Sequence, residues 1–284
     1  MKDSIDTDER YDIQFHFDPV CPFAWITSRW VQKVAAQRDY SVDWQFISLR
    51  IVNKDVDYDA HFPPEYEHGH TAGLRMLRVA AAAREAHGRS VVGDLYTGLG
   101  ASVFDVEKPA DRAAYQASMG SRDTVEKVLA DIGLPLSLAD ALDDDSWDAV
   151  IEAETDAALA LTGKDVGTPI IAYDPPNGPA FFGPVISRVP SDEDALRLWD
   201  AVLELANFPG FSEMKRSMRE APALRVLGLA DDETGASEDW HQGSPRLKKK
   251  RPSRADAGGA APPVRPARRS AHRSRLAGCS AHAP

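Results

Sequence analysis

One cysteine, Cys21, stands where a strand-like run gives way to a helical pattern, in the stretch FHFDPVCPFAWITSRW. Unpaired N–H groups at a helix N-terminus stabilise a thiolate, which is the nucleophilic form of cysteine. Pro22 suits the first turn of such a helix, because its missing N–H has no partner there. The position therefore indicates a thiol with a lowered pKa and a nucleophilic role, rather than a buried small apolar residue.

The chain has Ala24 three residues after Cys21, where a dithiol enzyme carries its second cysteine. The other cysteine of the chain, Cys279, lies in a tail far beyond the predicted fold. A mixed disulfide on Cys21 therefore has no partner thiol nearby. We expect a second small-molecule thiol to resolve it by exchange.

A second element that could act on a thiol ligand is the stretch GTPI, which contains Thr168 and Pro169. We expect this loop, which precedes a predicted strand, to approach the active cysteine with a cis X–Pro bond, a rare form with a structural purpose. We expect the Thr168 backbone to pair with an extended thiol ligand as a strand would. The alternative is a trans proline that opens an edge strand.

The patterns around these two elements predict an α/β fold. YDIQFHFDPV and SVDWQFISLRIV alternate as strands, and the helical spacing of WITSRWVQKVAAQRD between them predicts a parallel βαβ unit with Trp25, Trp30 and Trp44 in the core. DVGTPIIAYD and PAFFGPVIS predict a hairpin across PPNG. SDEDALRLWDAVLELANF then predicts an amphipathic helix with Ser191 as its N-cap.

A long segment between the second and third strands interrupts this unit. NKDVDYDAHFPPEYEHGHTAG, residues 53–73, is predicted to be a loop, and residues 71–162 have an almost wholly helical pattern. The order β-α-β, helices, β-β-α predicts a thioredoxin-like core with a large inserted helical subdomain at about residues 60–163. We predict one domain over residues 1–227, followed by a basic, low-complexity tail, residues 228–284, which we expect to be disordered.

The net charge of -11 divides unevenly along the chain. Residues 245–284 carry a net charge of +10, and the remainder carries -21. The basic run KKKRPSR could contact nucleic acid or a membrane surface, but the composition favours a solvated tail. No apolar run has the roughly 20 residues of a membrane span. The acidic, polar start is unlike a secretory signal, so we expect a cytoplasmic protein.

Other residues that could bind ligands give weaker signals. His61, His68 and His70, with Glu65 and Glu67, match no standard zinc spacing, so we expect no metal. The stretch GLGASV lacks the preceding strand and the glycine spacing of a nucleotide site, so we expect no flavin or nicotinamide cofactor. Electrons would then come from the small-molecule thiol itself.

FDPVCPFAW, followed by a helical insertion and by GTPIIAY and AFFGPVIS, resembles the disulfide-bond protein A (DsbA-like) branch of the thioredoxin superfamily. It is more closely similar to the actinobacterial mycothiol-dependent reductases of the nitroreductase type. The similarity extends over about residues 10–225 and includes LRMLRVA, LYTGLG and LANFPGFSEMKRS.

The resemblance implies roles for particular residues. It implies that Cys21 is the attacking cysteine, Pro169 the cis-proline and Thr168 its ligand-binding neighbour. It also implies that Pro22, Phe23 and Asn53 lie at the thiol and substrate cleft. There the ring of Phe23 would stack on a flat, electron-poor substrate.

These observations favour a thiol-dependent oxidoreductase that uses a single nucleophilic Cys21, with mycothiol as reductant and co-substrate. Its substrates would be nitro-type small molecules or disulfides. One alternative is a relative of the kappa-class glutathione transferases and 2-hydroxychromene-2-carboxylate isomerases, which usually have serine at the reactive position. Another is a non-catalytic thiol-binding or nucleic-acid-associated module. Whether the chain forms a homodimer stays open.

Overall fold

Two parallel strands, joined by a helix, form the part of the sheet that leads to Cys21. Strand β1 (Ile13–Phe17) pairs in parallel with β2 (Val42–Phe46), and helix α1 (Pro22–Arg38) connects them. The predicted βαβ unit is therefore confirmed. The structure is a computed structural model that describes residues 10–163, 166–230 and 232–240.

The other two strands of the sheet lie on the side of β1 away from β2. Strand β3 (Ile170–Tyr173) pairs antiparallel with β1 and with β4 (Ala180–Phe182), which gives the strand order β2-β1-β3-β4. Helix α9 (Asp192–Asn207) begins with the Ser191 cap and packs on α1, where the Trp30 indole N–H donates to the Ala195 carbonyl. This is the thioredoxin arrangement, and the predicted fold class is confirmed.

The chain between β2 and β3 is helical. Its elements are α2 (Leu49–Val52), α3 (Tyr58–His61), α4 (Pro64–His87), α5 (Val91–Phe104), α6 (Arg112–Ser118), α7 (Arg122–Asp131), two 3-10 segments (Leu136–Asp143 and Asp145–Trp147) and α8 (Asp148–Thr162). Helix α8 packs on the sheet, where its Thr155 hydroxyl accepts a hydrogen bond from the Ser48 backbone N–H. The inserted helices therefore cover the sheet beside the strands that carry the site.

The loop predicted over residues 53–73 is wrong where α3 (Tyr58–His61) and the first part of α4 lie within it. Helix α4 begins at Pro64, seven residues before the predicted start of helical structure at residue 71. Pro64 occupies the first turn, where a proline loses no hydrogen bond. The negative charges of Glu65 and Glu67 in that turn are attracted to the positive end of the helix dipole. The proline pair therefore starts a helix.

A strand lies beyond residue 227, where the sequence predicted the tail to begin. Strand β5 (Met218–Glu220) pairs antiparallel with β6 (Ser237–Asp239), which falls in the segment assigned to the tail. The Trp240 N–H donates to the Ser217 carbonyl, and the Arg219 guanidinium lies over the Trp240 ring. Backbone pairing and this cation–π contact therefore hold residues 237–240 against the preceding chain. The rest of the predicted tail, residues 241–284, lies outside the described residues.

Aromatic side chains fill the core beneath the site. Trp25, Trp30 and Trp44 are buried, as the sequence predicted. The Phe17 ring stacks on Tyr96 of α5 with ring centroids 3.9 Å apart, which joins the sheet to the inserted helices. No helix in the described part of the chain is long and apolar enough to cross a membrane.

Candidate active site

Cys21 is the N-cap of α1, directly after the turn that follows β1. Its Sγ accepts a hydrogen bond from the Ala24 backbone N–H at 3.5 Å and donates one to the Thr168 carbonyl oxygen at 3.4 Å. Pro22 occupies the first helical position. The structure therefore places the thiol at the start of the helix, between two backbone polar groups.

The expected lowering of the Cys21 pKa is not found. The side chain is only 6% exposed, and this burial raises the pKa of its thiol to about 12. Hydrogen bonds from the backbone N–H groups of Ala24 and Phe23 act in the opposite direction, and the nearby Asp18 charge raises the pKa further. Removal of a thiolate from water outweighs the stabilisation at the helix N-terminus, so Cys21 is a protonated thiol in this structure.

Ala24 is fully buried one helical turn after Cys21, and its backbone N–H faces the sulfur. A cysteine here would complete the dithiol of a disulfide oxidoreductase. In this chain a methyl group packs into the core at that position. The described residues contain one free cysteine, Cys21, and Cys279 lies outside them.

The loop before β3, which lies beside β1 in the sheet, contacts Cys21. The Thr168–Pro169 peptide bond is cis. The Thr168 hydroxyl donates to the His16 carbonyl of β1 at 2.8 Å, and the Pro169 carbonyl accepts from the Gly183 N–H at 2.8 Å. These bonds hold Thr168 to the sheet and keep its carbonyl oxygen beside the Cys21 sulfur.

Asp18 organises the turn that carries Cys21, and the sequence analysis missed it. Its carbonyl oxygen accepts from the Cys21 N–H at 3.1 Å. One carboxyl oxygen accepts from the Val20 N–H at 3.0 Å, and the other from the Leu49 N–H of α2 at 2.7 Å. The carboxyl group is fully buried, which raises its pKa to about 7 against the effect of the two N–H donors.

The remaining predicted site residues lie around this turn. Phe23 is half-buried and packs against the core. Asn53 ends α2, and its side-chain amide donates to the Leu49 carbonyl at 2.7 Å. Leu49 thus joins the Asp18 carboxyl, through its N–H, to the Asn53 amide, through its carbonyl. The structure shows no direct bond between Asn53 and Cys21.

The three histidines of the predicted loop have separate partners. His61 bonds to the Asp57 carbonyl, His68 to the Gln116 carbonyl, and His70 to the Tyr58 hydroxyl. In the part of the chain that the structure describes, no three His, Cys, Asp or Glu side chains converge as metal ligands.

Two further buried histidines lie on β1 and α4, and of these the sequence analysis missed His16. The His16 ring on β1 is buried, and neither of its nitrogens has a partner among the described residues. The rings of Phe62, Tyr66 and Tyr58 surround His70 with centroid distances of 5.7 to 5.9 Å. The Asp-Pro pair three residues before Cys21 was a visible turn signal, but the burial of the Asp18 carboxyl had no sequence signature.

The chain matches a known family over the segment that contains Cys21, Thr168 and Pro169. Residues 20–216 match the family described as "Rv2466c-like: Mycothiol-dependent nitroreductase Rv2466c". A relative, the uncharacterized protein Rv2286c of Mycobacterium tuberculosis (strain ATCC 25618 / H37Rv), is 30% identical over 206 residues. That alignment covers 72% of this chain and 81% of the relative.

Solved structures of disulfide oxidoreductases are more distant. The cytosolic disulfide reductase DsbM from Pseudomonas aeruginosa has a TM-score of 0.43 and 14% identity, over 68% of this chain and 99% of that one. The disulfide oxidoreductase DsbA from Proteus mirabilis has a TM-score of 0.40 and 15% identity, over 72% of this chain and 97% of that one.

Proposed function

The chain belongs to the Rv2466c-like family of mycothiol-dependent nitroreductases, and from that premise we propose that it is a thiol-dependent oxidoreductase with Cys21 as its nucleophile and mycothiol as its reductant. The observation that carries this proposal is the position of the Cys21 sulfur at the start of α1 and 3.4 Å from the Thr168 carbonyl oxygen. Ala24, in place of a second cysteine, makes the external thiol necessary.

The proposed cycle with a disulfide substrate has three exchange steps. The Cys21 thiolate attacks one sulfur of the substrate, so that a Cys21 mixed disulfide forms and the other sulfur leaves as a thiolate that takes up a proton. A first mycothiol thiolate attacks the Cys21 sulfur of this mixed disulfide, so that a Cys21–mycothiol disulfide forms and the second substrate sulfur leaves as a thiol. A second mycothiol thiolate attacks the mycothiol sulfur of that disulfide, which gives mycothiol disulfide and returns Cys21 to the thiol. In total, two mycothiol molecules are oxidised to one disulfide, and the substrate disulfide is reduced to two thiols.

A nitro-type substrate needs the same two electrons in its first step. Two thiols become one disulfide, while the nitro group becomes a nitroso group and one water molecule leaves. We assign to Phe23 the contact with such a flat substrate, because this residue is partly exposed and follows Cys21 by two positions. Asn53, at the end of the neighbouring α2, is the proposed polar contact on the other side of the turn.

The Thr168 backbone supports the binding of a thiol ligand next to Cys21. Among the residues that the structure describes, the Cys21 thiol is the one donor to its carbonyl oxygen, and its N–H has no acceptor. A ligand with amide groups, once linked through sulfur to Cys21, would satisfy both backbone groups as an added strand does. Such a ligand would also displace the thiol from its bond to the carbonyl oxygen.

The site sets one requirement on this chemistry. A thiol with a pKa near 12 is almost wholly protonated at neutral pH, and the thiolate is the attacking species. The proposed reaction therefore requires a change in the surroundings of Cys21 when substrate binds. It also requires a pool of reduced thiol, which the cytoplasm maintains.

The direct test is the reduction of a model disulfide and of a nitroaromatic compound, with mycothiol as the sole electron donor. The mycothiol disulfide formed is measured against the substrate consumed. With the wild type and with Cys279→Ser, we expect one mycothiol disulfide to form for every two electrons that the substrate takes up. With Cys21→Ser we expect no turnover. Equal turnover by Cys21→Ser and the wild type would assign the reaction to another group.

A further inference from the structure

Residues 217–230 and 232–240 form a strap that follows the part of the chain matching the family, which ends at residue 216. We propose that this strap holds the end of the inserted helices and the loop after β4 against the start of α1, and that its release exposes Cys21 to substrate. This role rests on the proposed function in that it takes Cys21 as the nucleophile. It names the element that moves before Cys21 reacts.

The strap is bonded to the loop that follows β4. The Ala223 backbone N–H donates to the Ser187 carbonyl oxygen at 2.7 Å, and the Ser187 hydroxyl donates to a Glu220 carboxyl oxygen at 2.9 Å. The Arg188 guanidinium forms an ion pair with Glu220 at 3.3 Å and donates to the Thr234 hydroxyl at 2.7 Å. Two successive residues of this loop therefore bond to both halves of the strap.

Leu224 is the side chain through which the strap reaches the core. It is only 3% exposed, and it belongs to the same cluster of buried side chains as Cys21. Together with Ala223 it lines a cavity of about 40 Å³, whose walls also include Trp25 and Ile26 of α1. The strap therefore packs on α1 shortly after Cys21.

The strap also contacts the last of the chain that follows α5. Its 3-10 turn, Arg225–Leu227, packs on α5, and a Cβ on Gly228 would lie 3.1 Å from the Cδ of Lys108. Asp105, which ends α5, lines the same cavity and accepts a hydrogen bond from the Trp25 indole N–H at 3.3 Å. The strap thus joins the inserted helices to the loop after β4, with the start of α1 between them.

Trp25 connects this junction to Cys21. Its backbone N–H donates to the Cys21 carbonyl oxygen at 3.0 Å, and its ring packs on Phe104 and Tyr96 of α5 with centroid distances of 6.0 and 5.9 Å. While the strap is in place, the first turn of α1 stays packed and Cys21 stays buried. Release of the strap uncovers Trp25 on the side of the cavity, so that this turn can move and the thiol can meet water and substrate.

The strap has the properties of an element that opens without unfolding of the whole chain. Its two strands have three residues each, and its apolar side chains Met218 and Leu227 are about half exposed. The cavity beside Leu224 is larger than a water molecule needs, so this side chain lacks contacts on one side. Segments with few buried apolar contacts open at free energies well below that of global unfolding.

Cys21 alkylation by iodoacetamide measures this opening in the full chain. The rate is followed on the Cys21 peptide by mass spectrometry at pH 8, in a series of low urea concentrations. We expect the wild-type rate to depend weakly on urea, because local opening exposes little surface, whereas global unfolding gives a steep dependence. A wild-type rate with the urea dependence of global unfolding would overturn the proposal.

Two variants weaken the strap at different contacts. Leu224→Ala removes the buried side chain, and we expect alkylation at least about tenfold faster than in the wild type. Glu220→Ala removes the ion pair with Arg188, and we expect an increase of about threefold, as for a half-exposed pair. The urea dependence of both rates should stay as weak as in the wild type.

Each variant has a matched control outside the strap. Leu142→Ala removes an equally buried leucine from the 3-10 segment Leu136–Asp143, which bonds to Arg78 of α4. Glu213→Ala removes the ion pair with Lys215. Both should keep the wild-type rate. Equal acceleration by Leu142→Ala and Leu224→Ala would show that the strap acts only through overall stability.

The coupling between the strap and Cys21 must also work in the reverse direction, so a group attached to Cys21 should favour the open strap. Amide hydrogen exchange in the Cys279→Ser protein, resolved by NMR, tests this before and after alkylation of Cys21. The Ala223 amide, which donates to Ser187, should exchange at least about threefold faster in the alkylated protein. The Val125 amide of α7, which donates to Ser121, is the internal control and should not change.

Equal exchange of the Ala223 amide in the two forms would contradict the proposal, and this comparison needs no variant of the strap. It therefore decides the question even where Leu224→Ala or Glu220→Ala does not fold. None of these measurements uses mycothiol. A chain whose strap opens as described, but which forms no mycothiol adduct, would refute the proposed function alone.

Discussion

The Cys21 sulfur lies 3.4 Å from the carbonyl oxygen of Thr168, a residue 147 positions later in the chain. The contact joins the start of α1 to the loop before β3. The thiol is therefore both buried and hydrogen-bonded to the backbone in this structure. A reaction at Cys21 must break this bond, and a ligand that pairs with Thr168 supplies the replacement.

Ala24→Cys should convert the single-thiol site into a dithiol site. The introduced sulfur would lie one helical turn from Cys21, next to the N–H that now faces its Sγ. We expect that a mixed disulfide on Cys21 no longer accumulates, because intramolecular exchange resolves it. Intact mass after treatment with mycothiol disulfide should show the loss of two hydrogens instead of an added thiol.

Ala36→Cys places the same residue type on the exposed part of α1 and serves as the control. It should retain the mixed disulfide at Cys21. Accumulation of that species in Ala24→Cys to the wild-type level would mean that the residue at position 24 does not decide how the disulfide is resolved.

Gly73→Ala should destabilise the protein by about 1–3 kcal/mol, the usual cost of overpacking a core. A Cβ at this position on α4 would lie 2.5 Å from an Asp18 carboxyl oxygen and 2.8 Å from a Val20 methyl carbon. Gly69→Ala, one turn earlier on the same helix, meets nothing within 4 Å. It should stabilise the helix by about 0.5–1 kcal/mol. The free energies of unfolding in urea compare the two, and equal effects would show that α4 does not pack closely on the Cys21 turn.

His16 should make the fold sensitive to acid. Burial lowers the pKa of its ring to about 4, below the unfolded value of 6.5. As the pH falls below 6.5, the unfolded chain binds a proton that the folded chain excludes, so stability is lost until the folded pKa is passed. The difference of 2.5 pKa units corresponds to a loss on the order of 3 kcal/mol.

His16→Leu should remove this loss, measured as the free energy of unfolding at pH 7 and pH 4 relative to the wild type. The comparison between variants is needed because Asp18, whose pKa is raised, stabilises the fold as the pH falls. His87→Gln, at an exposed site at the end of α4, is the control. The same pH dependence in the wild type and in His16→Leu would contradict the assignment to His16.

Truncation should separate the basic tail from the β5–β6 hairpin. A chain of residues 1–244 keeps β6 and Trp240, and we expect wild-type stability and thiol reactivity. A chain of residues 1–227 loses the partner strand of β5 and the ring that contacts Arg219, so we expect a lower thermal midpoint. Loss of Cys21 reactivity in the 1–244 chain would assign a role at the site to the basic tail.

The elements that hold Cys21 were predictable because their patterns are local. Alternation through Phe15 and Phe17, and the helical spacing after Pro22, identify β1 and α1. The short apolar runs around PPNG identify β3 and β4. In contrast, β5 and β6 are three-residue strands separated by 16 residues, and strands of that length have no measurable periodicity.

The environment of the thiol was not predictable, because it depends on what packs over it. The sequence places Cys21 at a helix start, which favours ionisation, but burial has the larger effect, and it comes from distant parts of the chain. Asp18 is a turn residue by sequence, and its carboxyl is covered by chain that packs over the turn, including α4 at Gly73 and Leu49 of α2. Local patterns therefore placed Cys21 at a helix start and gave the wrong direction for the pKa of its thiol.

The central claim is that a small thiol becomes covalently attached to Cys21 and that a second thiol releases it. The most direct measurement is the intact mass of the Cys279→Ser protein after incubation with mycothiol disulfide, before and after addition of excess reduced mycothiol. The account predicts one attached mycothiol per chain, located on the Cys21 peptide and removed completely by the added thiol. An unmodified protein, or an adduct that persists when Cys21 is also replaced by serine, would contradict it.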